Sequence, residues 1–87
     1  MAVVFIPYAL RKYAAGADQV DMPADTLGEL IEKLEDAYPG MRRHLIVDDA
    51  LKPGLAAVVG QTATRRGLLQ KLDDDVEVHF VTAIAGG

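Results

Sequence analysis

Residues 25–40 read DTLGELIEKLEDAYPG, and this stretch decides the fold. Thr26 and Glu29 have the S/T-x-x-E spacing in which each residue satisfies the backbone N–H of the other at a helix start. Apolar residues then recur every three or four positions, the spacing of one buried helix face; they are Leu27, Leu30, Ile31, Leu34 and Tyr38. Pro39 and Gly40 end the helix, because the residue before a proline is pushed out of the α region. The stretch therefore predicts an amphipathic helix with one face on a core.

Two strands are predicted before this helix and two after it, each from β-branched and aromatic content or from polar/apolar alternation. Their ranges are 3–6, 19–22, 55–59 and 76–80. The run 55–59 lies between two glycines and is apolar throughout, which is typical of a strand buried on both faces. In the last strand, side chains alternate between the two faces of the sheet. The helix-facing set is predicted to be Val76, Val78 and Phe80, and the opposite set Glu77, His79 and Val81.

The segments between these elements carry weaker signals. Residues 41–54 are interpreted as a long connection, and residues 62–65 as a short edge strand. Residues 68–72 predict a helical turn with Leu69 and Leu72 directed inward. Residues 73–75, all Asp, predict a turn rather than a metal site, because consecutive side chains point in different directions and cannot converge on one ion. An Asp in this turn can adopt the left-handed conformation.

The resulting order, β-β-α-β-β, predicts an α+β fold in which one main helix packs on one face of a mixed sheet of four to five strands. The 87 residues are expected to form one domain spanning 1–87. The opposite face of the sheet is left open for a partner. A chain of this length has no room for both a core and a deep enclosed active site, so it is not expected to be an enzyme.

Composition excludes several functional classes. Nine basic against 13 acidic residues give a net charge of −4 and no basic stripe, so no nucleic-acid partner is expected. No apolar run approaches the ~20 residues that span a bilayer, and the first residues lack the features of a signal peptide, so we expect no membrane partner and a cytoplasmic location. The sequence has no Cys and no Ser, which removes thiolate metal sites and the usual nucleophiles. No metal or cofactor is expected to bind this chain.

The chemistry is instead expected at the C-terminus. Residues 82–87 are predicted to form a flexible tail that ends in Gly86 and Gly87 and reaches about 20 Å beyond the sheet when extended. A glycine has no Cβ, so its carboxylate can enter a narrow channel without steric cost. With an ordinary pKa of about 3.3–3.7, this carboxylate is ionised at neutral pH. It is therefore an oxygen nucleophile toward an ATP phosphate.

These features together resemble a ubiquitin-like (β-grasp) sulfur carrier of the MoaD/ThiS family. The order of elements, the helix signature at 25–40 and the Ala-Gly-Gly end carry the resemblance, which covers residues 3–40 and 69–87. Within that family the chain is most similar to carriers that deliver sulfur for cysteine synthesis, with the molybdopterin synthase small subunit next. The residues outside the signature that carry this finer likeness are Phe5, Ile6, Pro7, Leu10 and Arg11.

The resemblance implies a cycle of partner enzymes acting on one residue. An E1-like enzyme uses ATP and Mg²⁺, which this chain does not itself bind, to adenylate the carboxylate of Gly87. A sulfur donor then replaces AMP to leave a thiocarboxylate, and a sulfur-acceptor enzyme takes the sulfur. The apolar residues near the tail are predicted to dock on the activating enzyme; with the small residues between them they are Val81, Ala83, Ile84 and Ala85.

Two other functions remain open at this point. A protein modifier would share the activation step and join Gly87 to lysines of target proteins. A non-catalytic interaction module would make the di-glycine end incidental, and deletion of Gly87 would leave its binding intact.

Overall fold

The computed structural model describes residues 1–82. Within that range the chain forms seven strands, one α-helix and three short 3₁₀ helices. The strands are β1 (Ala2–Phe5), β2 (Gln19–Met22), β3 (Ile46–Val47), β4 (Ala50–Leu51), β5 (Leu55–Val59), β6 (Thr62–Ala63) and β7 (Glu77–Thr82). The α-helix, α1, is Leu27–Ala37, and the 3₁₀ helices are Tyr8–Ala14, Arg42–His44 and Gly67–Leu69.

The start of α1 follows the sequence prediction with one difference. Thr26 is the N-cap, and its hydroxyl accepts a hydrogen bond of 3.2 Å from the Glu29 backbone N–H. The Glu29 carboxylate, however, accepts from the Asp25 N–H at 2.9 Å rather than from Thr26. Thr26 instead lies in a backbone bridge opposite Lys71. The helix start is thereby tied to the segment that leads into β7.

Five strands form one mixed sheet in the order β2-β1-β7-β5-β6, in which β1 and β7 are parallel and the other neighbours antiparallel. The predicted faces of β7 are confirmed: Val78 and Phe80 are buried, whereas Val81 is 44% exposed. The predicted helix face is confirmed as well, since its four leucine and isoleucine side chains are completely buried and Tyr38 packs at the edge of the core. The core thus lies between α1 and one face of the sheet, as in a β-grasp fold.

The connection predicted for residues 41–54 contains regular structure. Arg42–His44 forms a 3₁₀ turn, and β3 and β4 pair as a small antiparallel hairpin outside the main sheet. Its turn consists of Asp48 and Asp49, both with positive φ (53° and 61°). Two such residues in succession give the backbone twist that a two-residue hairpin needs.

Two burial predictions are wrong. Leu69 was expected to point inward, but it is 75% exposed, while Leu68 packs against the core and Leu72 is buried. The strand 55–59 was expected to be buried on both faces, but only Ala57 is buried. Strand 55–59 is only partly buried for the same reason as the rest of the sheet: α1 covers one face of the sheet, and the other face remains open. The turn before β7 is confirmed, and Asp75 adopts the left-handed conformation with φ 58°.

Candidate functional site

The site is the C-terminal end of β7, at Thr82. β7 lies between β1 and β5, and the register places His79 beside Phe5 and Thr82 opposite Leu55. β7 is therefore paired on both sides as far as His79, and at Thr82 it is paired with β5. Thr82, predicted as the first residue of the flexible tail 82–87, is the last residue of β7. Residues 83–87 lie outside the described residues, and with them the rest of the predicted tail and five of the predicted site residues; these are Ala83, Ile84, Ala85, Gly86 and Gly87.

The open face of the sheet presents a small apolar surface beside this end. Phe5 and His79, which are register partners on β1 and β7, stack face to face with ring centroids 4.2 Å apart and planes within 6°. His79 also lies 3.4 Å from the Glu77 carboxylate. Val81 is exposed on the same face, as predicted, and its proposed contact with an activating enzyme stays a prediction.

A groove of about 230 Å³ borders the same end of the sheet. We call it the exit groove; it is lined by Pro7, Ala9, Leu10, His44, Lys52, Pro53 and Leu55. Pro7 lies two residues after the end of β1, and Leu55 pairs with Thr82, so the groove adjoins the end of β7. Ala9 also lines an adjoining depression that includes Arg11 and Lys12. We call Arg11, Lys12 and Lys52 the basic rim.

Local contacts hold the walls of the groove. The Arg11 side chain donates through Nε to the Ile6 carbonyl at 3.1 Å, which pins the 3₁₀ segment to the end of β1. The His44 ring stacks on Tyr13 with centroids 4.4 Å apart. The stack joins the Tyr8–Ala14 segment to the Arg42–His44 turn and holds His44 in the groove wall.

The turn that contains His44 is held in place by the carboxylate of Glu35. Glu35, near the end of α1, accepts hydrogen bonds from the backbone N–H groups of Gly40 (3.0 Å) and Arg42 (2.9 Å). These bonds, with the Gly40 bond the stronger influence, lower the pKa of Glu35 because they stabilise the ionised form. The hydrogen bond to the Glu32 carboxylate raises the pKa of Arg42. At neutral pH the ionised carboxylates of Glu35 and Glu32 therefore hold the segment that follows α1.

Within residues 1–82 the site consists of surfaces rather than a cluster of metal-ligating side chains. Among residues 1–82 no three His, Asp or Glu side chains come together as a metal site, and no helix is long and apolar enough to cross a bilayer. The arrangement supplies surfaces: an open sheet face and a groove, both beside the end of β7. The sequence predicted the sheet face but not the groove. The available signal was residues 7–17, which contain Arg11 and Lys12 and no acidic residue.

Comparison with known proteins places this architecture among characterised relatives. The model of the ThiS family matches residues 4–87. The fold matches CysO in the crystal structure of an Amycolatopsis orientalis BexX/CysO complex, with 26% identity, a TM-score of 0.92 and 100% of both chains covered. It also matches Mycobacterium tuberculosis CysO, with 28% identity and a TM-score of 0.90, over 97% of this chain and 100% of that one.

A more distant match shows the fold alone. It is small archaeal modifier protein 1 from Methanosarcina acetivorans, with 19% identity, a TM-score of 0.80, and coverage of 99% of this chain and 95% of that one. A search of curated proteins found no match.

Proposed function

This chain belongs to the ThiS family of ubiquitin-like sulfur carriers, and on that premise we propose that it carries sulfur as a thiocarboxylate on Gly87. In this proposal the chain is a protein substrate that partner enzymes act on in the cytoplasm. The observation that carries it is the extent of the family match, which runs from residue 4 to the last residue and so includes the Gly86-Gly87 end. The likeness to two CysO proteins over nearly their whole length favours cysteine synthesis as the destination of the sulfur.

The proposed chemistry uses only the terminal carboxyl group of the chain. A carboxylate oxygen of Gly87 attacks the α-phosphorus of ATP, held with Mg²⁺ by an E1-like enzyme, and pyrophosphate leaves. Hydrosulfide released by a sulfur donor then attacks the acyl carbon, the C–O bond to the phosphate breaks, AMP leaves with the bonding electrons, and the thioacid loses its proton. The thiocarboxylate that results is passed to a sulfur-acceptor enzyme. Gly86 and Gly87 contribute the absence of a Cβ, which allows the end of the chain to enter a narrow active site.

The fold holds β7, the strand that precedes the Gly86-Gly87 end, in a fixed position. β7 is hydrogen-bonded on both sides, and its inward side chains Val78 and Phe80 are anchored in the core. Val81, exposed beside the end of β7, is the described residue that we assign to contact with the activating enzyme. We assign Ala83, Ile84 and Ala85 to the same contact because they connect Thr82 to the di-glycine end.

The test is intact mass spectrometry after incubation with an E1-like enzyme, ATP, Mg²⁺ and a sulfide donor. The expected product is the full chain with the mass change of one oxygen-to-sulfur exchange, located at Gly87 by fragmentation. Deletion of Gly87 should abolish this product and leave the Tm unchanged, because terminal residues of a domain contribute few buried contacts.

A matched variant tests whether the reaction needs only a carboxylate at position 87 or also needs a residue without a Cβ there. Gly87→Ala keeps the chain length and the carboxylate but adds a Cβ, so its conversion should be slowed rather than lost. A folded Gly87 deletion that is still adenylated would refute the proposal. Attachment to lysines of other proteins, seen as species of higher mass, would support the protein-modifier function in its place.

A further inference from the structure

The charge of this protein is unevenly distributed. Its net charge is −4, yet residues 7–17 and 50–59, which flank the exit groove, contain basic residues and no acidic residue. The three basic-rim side chains form no ion pair with any residue of the described range 1–82. The acidic turn at 73–75 precedes β7 and so lies at the opposite end of that strand. Asp18 lies at the groove end of the sheet, because its backbone carbonyl accepts a hydrogen bond from the Ile6 N–H. Residues 7–18 and 50–59 together contain three basic residues and one acidic residue, so the end of the sheet at Thr82 has a local excess of positive charge.

The exit groove adds an apolar cavity to this basic end. Its lining includes Pro7, Leu10, Pro53 and Leu55. Its volume of about 230 Å³ exceeds the ~150 Å³ in which an apolar cavity holds a benzene molecule. One bulky apolar or aromatic side chain therefore fits. An apolar cavity that takes an anchor side chain, with charged groups around it, is a common organisation of protein interfaces.

Position determines which partner meets this surface. Leu55 is the register partner of Thr82, and Pro7 follows the strand that runs parallel to β7 on its other side. The groove therefore borders Thr82, and we take it as the surface nearest to a protein that binds the residues after Thr82. On the proposed function, such a protein is the enzyme that activates Gly87.

We propose that the exit groove and its basic rim bind an acidic surface of the activating enzyme, with one bulky apolar side chain of that enzyme seated between Leu10 and Leu55. This inference rests on the proposed function and names the chemistry of the partner. The groove supplies contact area, and Arg11, Lys12 and Lys52 supply attraction during encounter. Electrostatic attraction of this kind raises association rates at low salt and is screened as salt increases.

The role of the basic rim in binding is tested by charge reversal with a matched control. Lys12→Glu with Lys52→Glu reverses the charge of two of the three rim residues. The control, Arg65→Glu with Arg66→Glu, lowers the net charge by the same amount. Arg65 and Arg66 follow the outermost strand, β6, and line a different depression. ATP–pyrophosphate exchange is measured with the purified E1-like enzyme at low and high salt. The rim variant should lose about tenfold or more in kcat/KM at low salt, through KM, and the control should stay within about twofold of the parent.

Two further variants complete the test: one removes the charge of two rim residues, and the other blocks the groove with a larger side chain. Lys12→Gln with Lys52→Gln should give an intermediate loss, and this variant serves if the charge reversal fails to fold. Ala9→Tyr places a ring at the mouth of the groove from an exposed position; it should raise KM and leave the salt dependence intact. Tm is measured for every variant.

The outcomes separate this inference from the function on which it rests. If the parent chain is not adenylated, the proposed function fails. If the parent is adenylated and the rim and control variants behave alike, the function stands and this inference is wrong. If the rim variant is activated normally but transfers sulfur poorly, the groove serves the acceptor enzyme, and the assignment to the activating enzyme is overturned.

Discussion

Replacement of Leu30 by Ala tests the packing of α1 on the sheet. Leu30 is completely buried in the core between the helix and the sheet. Removing a fully buried leucine side chain costs about 2–5 kcal/mol, because transfer free energy is lost and a cavity is left behind. A domain of this length has a total stability of roughly 4–13 kcal/mol at 0.05–0.15 kcal/mol per residue, so this is a large fraction of it. With a Tm shift of about 4–8 °C per kcal/mol at this size, the Tm should fall by at least about 8 °C.

The matched control is Leu69→Ala, the same chemical change at a leucine that is 75% exposed. Its cost should stay within about 0.5 kcal/mol, as for most surface substitutions. Urea denaturation followed by circular dichroism gives both free energies of unfolding on one scale, and equal slopes confirm that the denatured states are comparable. If Leu69→Ala costs as much as Leu30→Ala, then Leu69 is buried after all and the packing described for the Gly67–Leu69 turn is wrong.

Two further predictions concern the ends of α1. The lowered pKa of Glu35 means that its hydrogen bonds to Gly40 and Arg42 add stability above the ordinary carboxyl pKa, and that this stability is lost as pH falls through the lowered value. Glu35→Gln should therefore lower Tm at pH 7 and match the parent in strong acid. The matched control is Asp36→Asn, the same kind of change at the exposed neighbour, which should leave Tm at pH 7 nearly unchanged as a surface substitution. A Tm difference for Glu35→Gln that does not change with pH would contradict the assignment. At the other end, Gly28→Ala would gain about 1 kcal/mol from helix propensity alone, but its Cβ would lie 3.2 Å from the carbonyl oxygen of Leu68. The variant should be less stable than the parent in thermal melts, and a higher Tm would show that the Leu68 segment moves aside at no cost.

The elements predicted well from sequence are those whose signal lies within a few residues. The capping residues and apolar face of α1 are read from one continuous stretch, and the faces of β7 follow from strict alternation. The strand bounds 19–22 and 55–59 agree with β2 and β5. In each case the local pattern and the tertiary packing favour the same structure, so knowledge of the rest of the chain was not required.

The elements that were missed have weak local signals or pack against a distant part of the chain. The β3–β4 hairpin has an Asp48-Asp49 turn in place of the Asn-Gly or Asp-Gly pair that marks such turns, and each strand has only two residues. The Gly67–Leu69 turn packs against α1 at Gly28, where the missing Cβ allows the backbone of Leu68 to approach the helix closely. This second contact is not visible in residues 67–69 themselves.

The candidate site likewise has one part that could be predicted from the sequence and one part that could not. The reactive group that we propose, the Gly87 carboxylate, could be predicted from the sequence because a di-glycine end is a local feature, whereas the exit groove is assembled from residues 7–10, 44 and 52–55. These segments meet because β1 and β5 both flank β7, so the register of these strands determines what surrounds the end of β7. The groove residues lie at the rim of the core rather than in it, and none is among the completely buried side chains. Stability and partner recognition can therefore be changed separately: substitutions such as Leu30→Ala should lower Tm, and reversal of the basic rim should alter activation with little change in Tm.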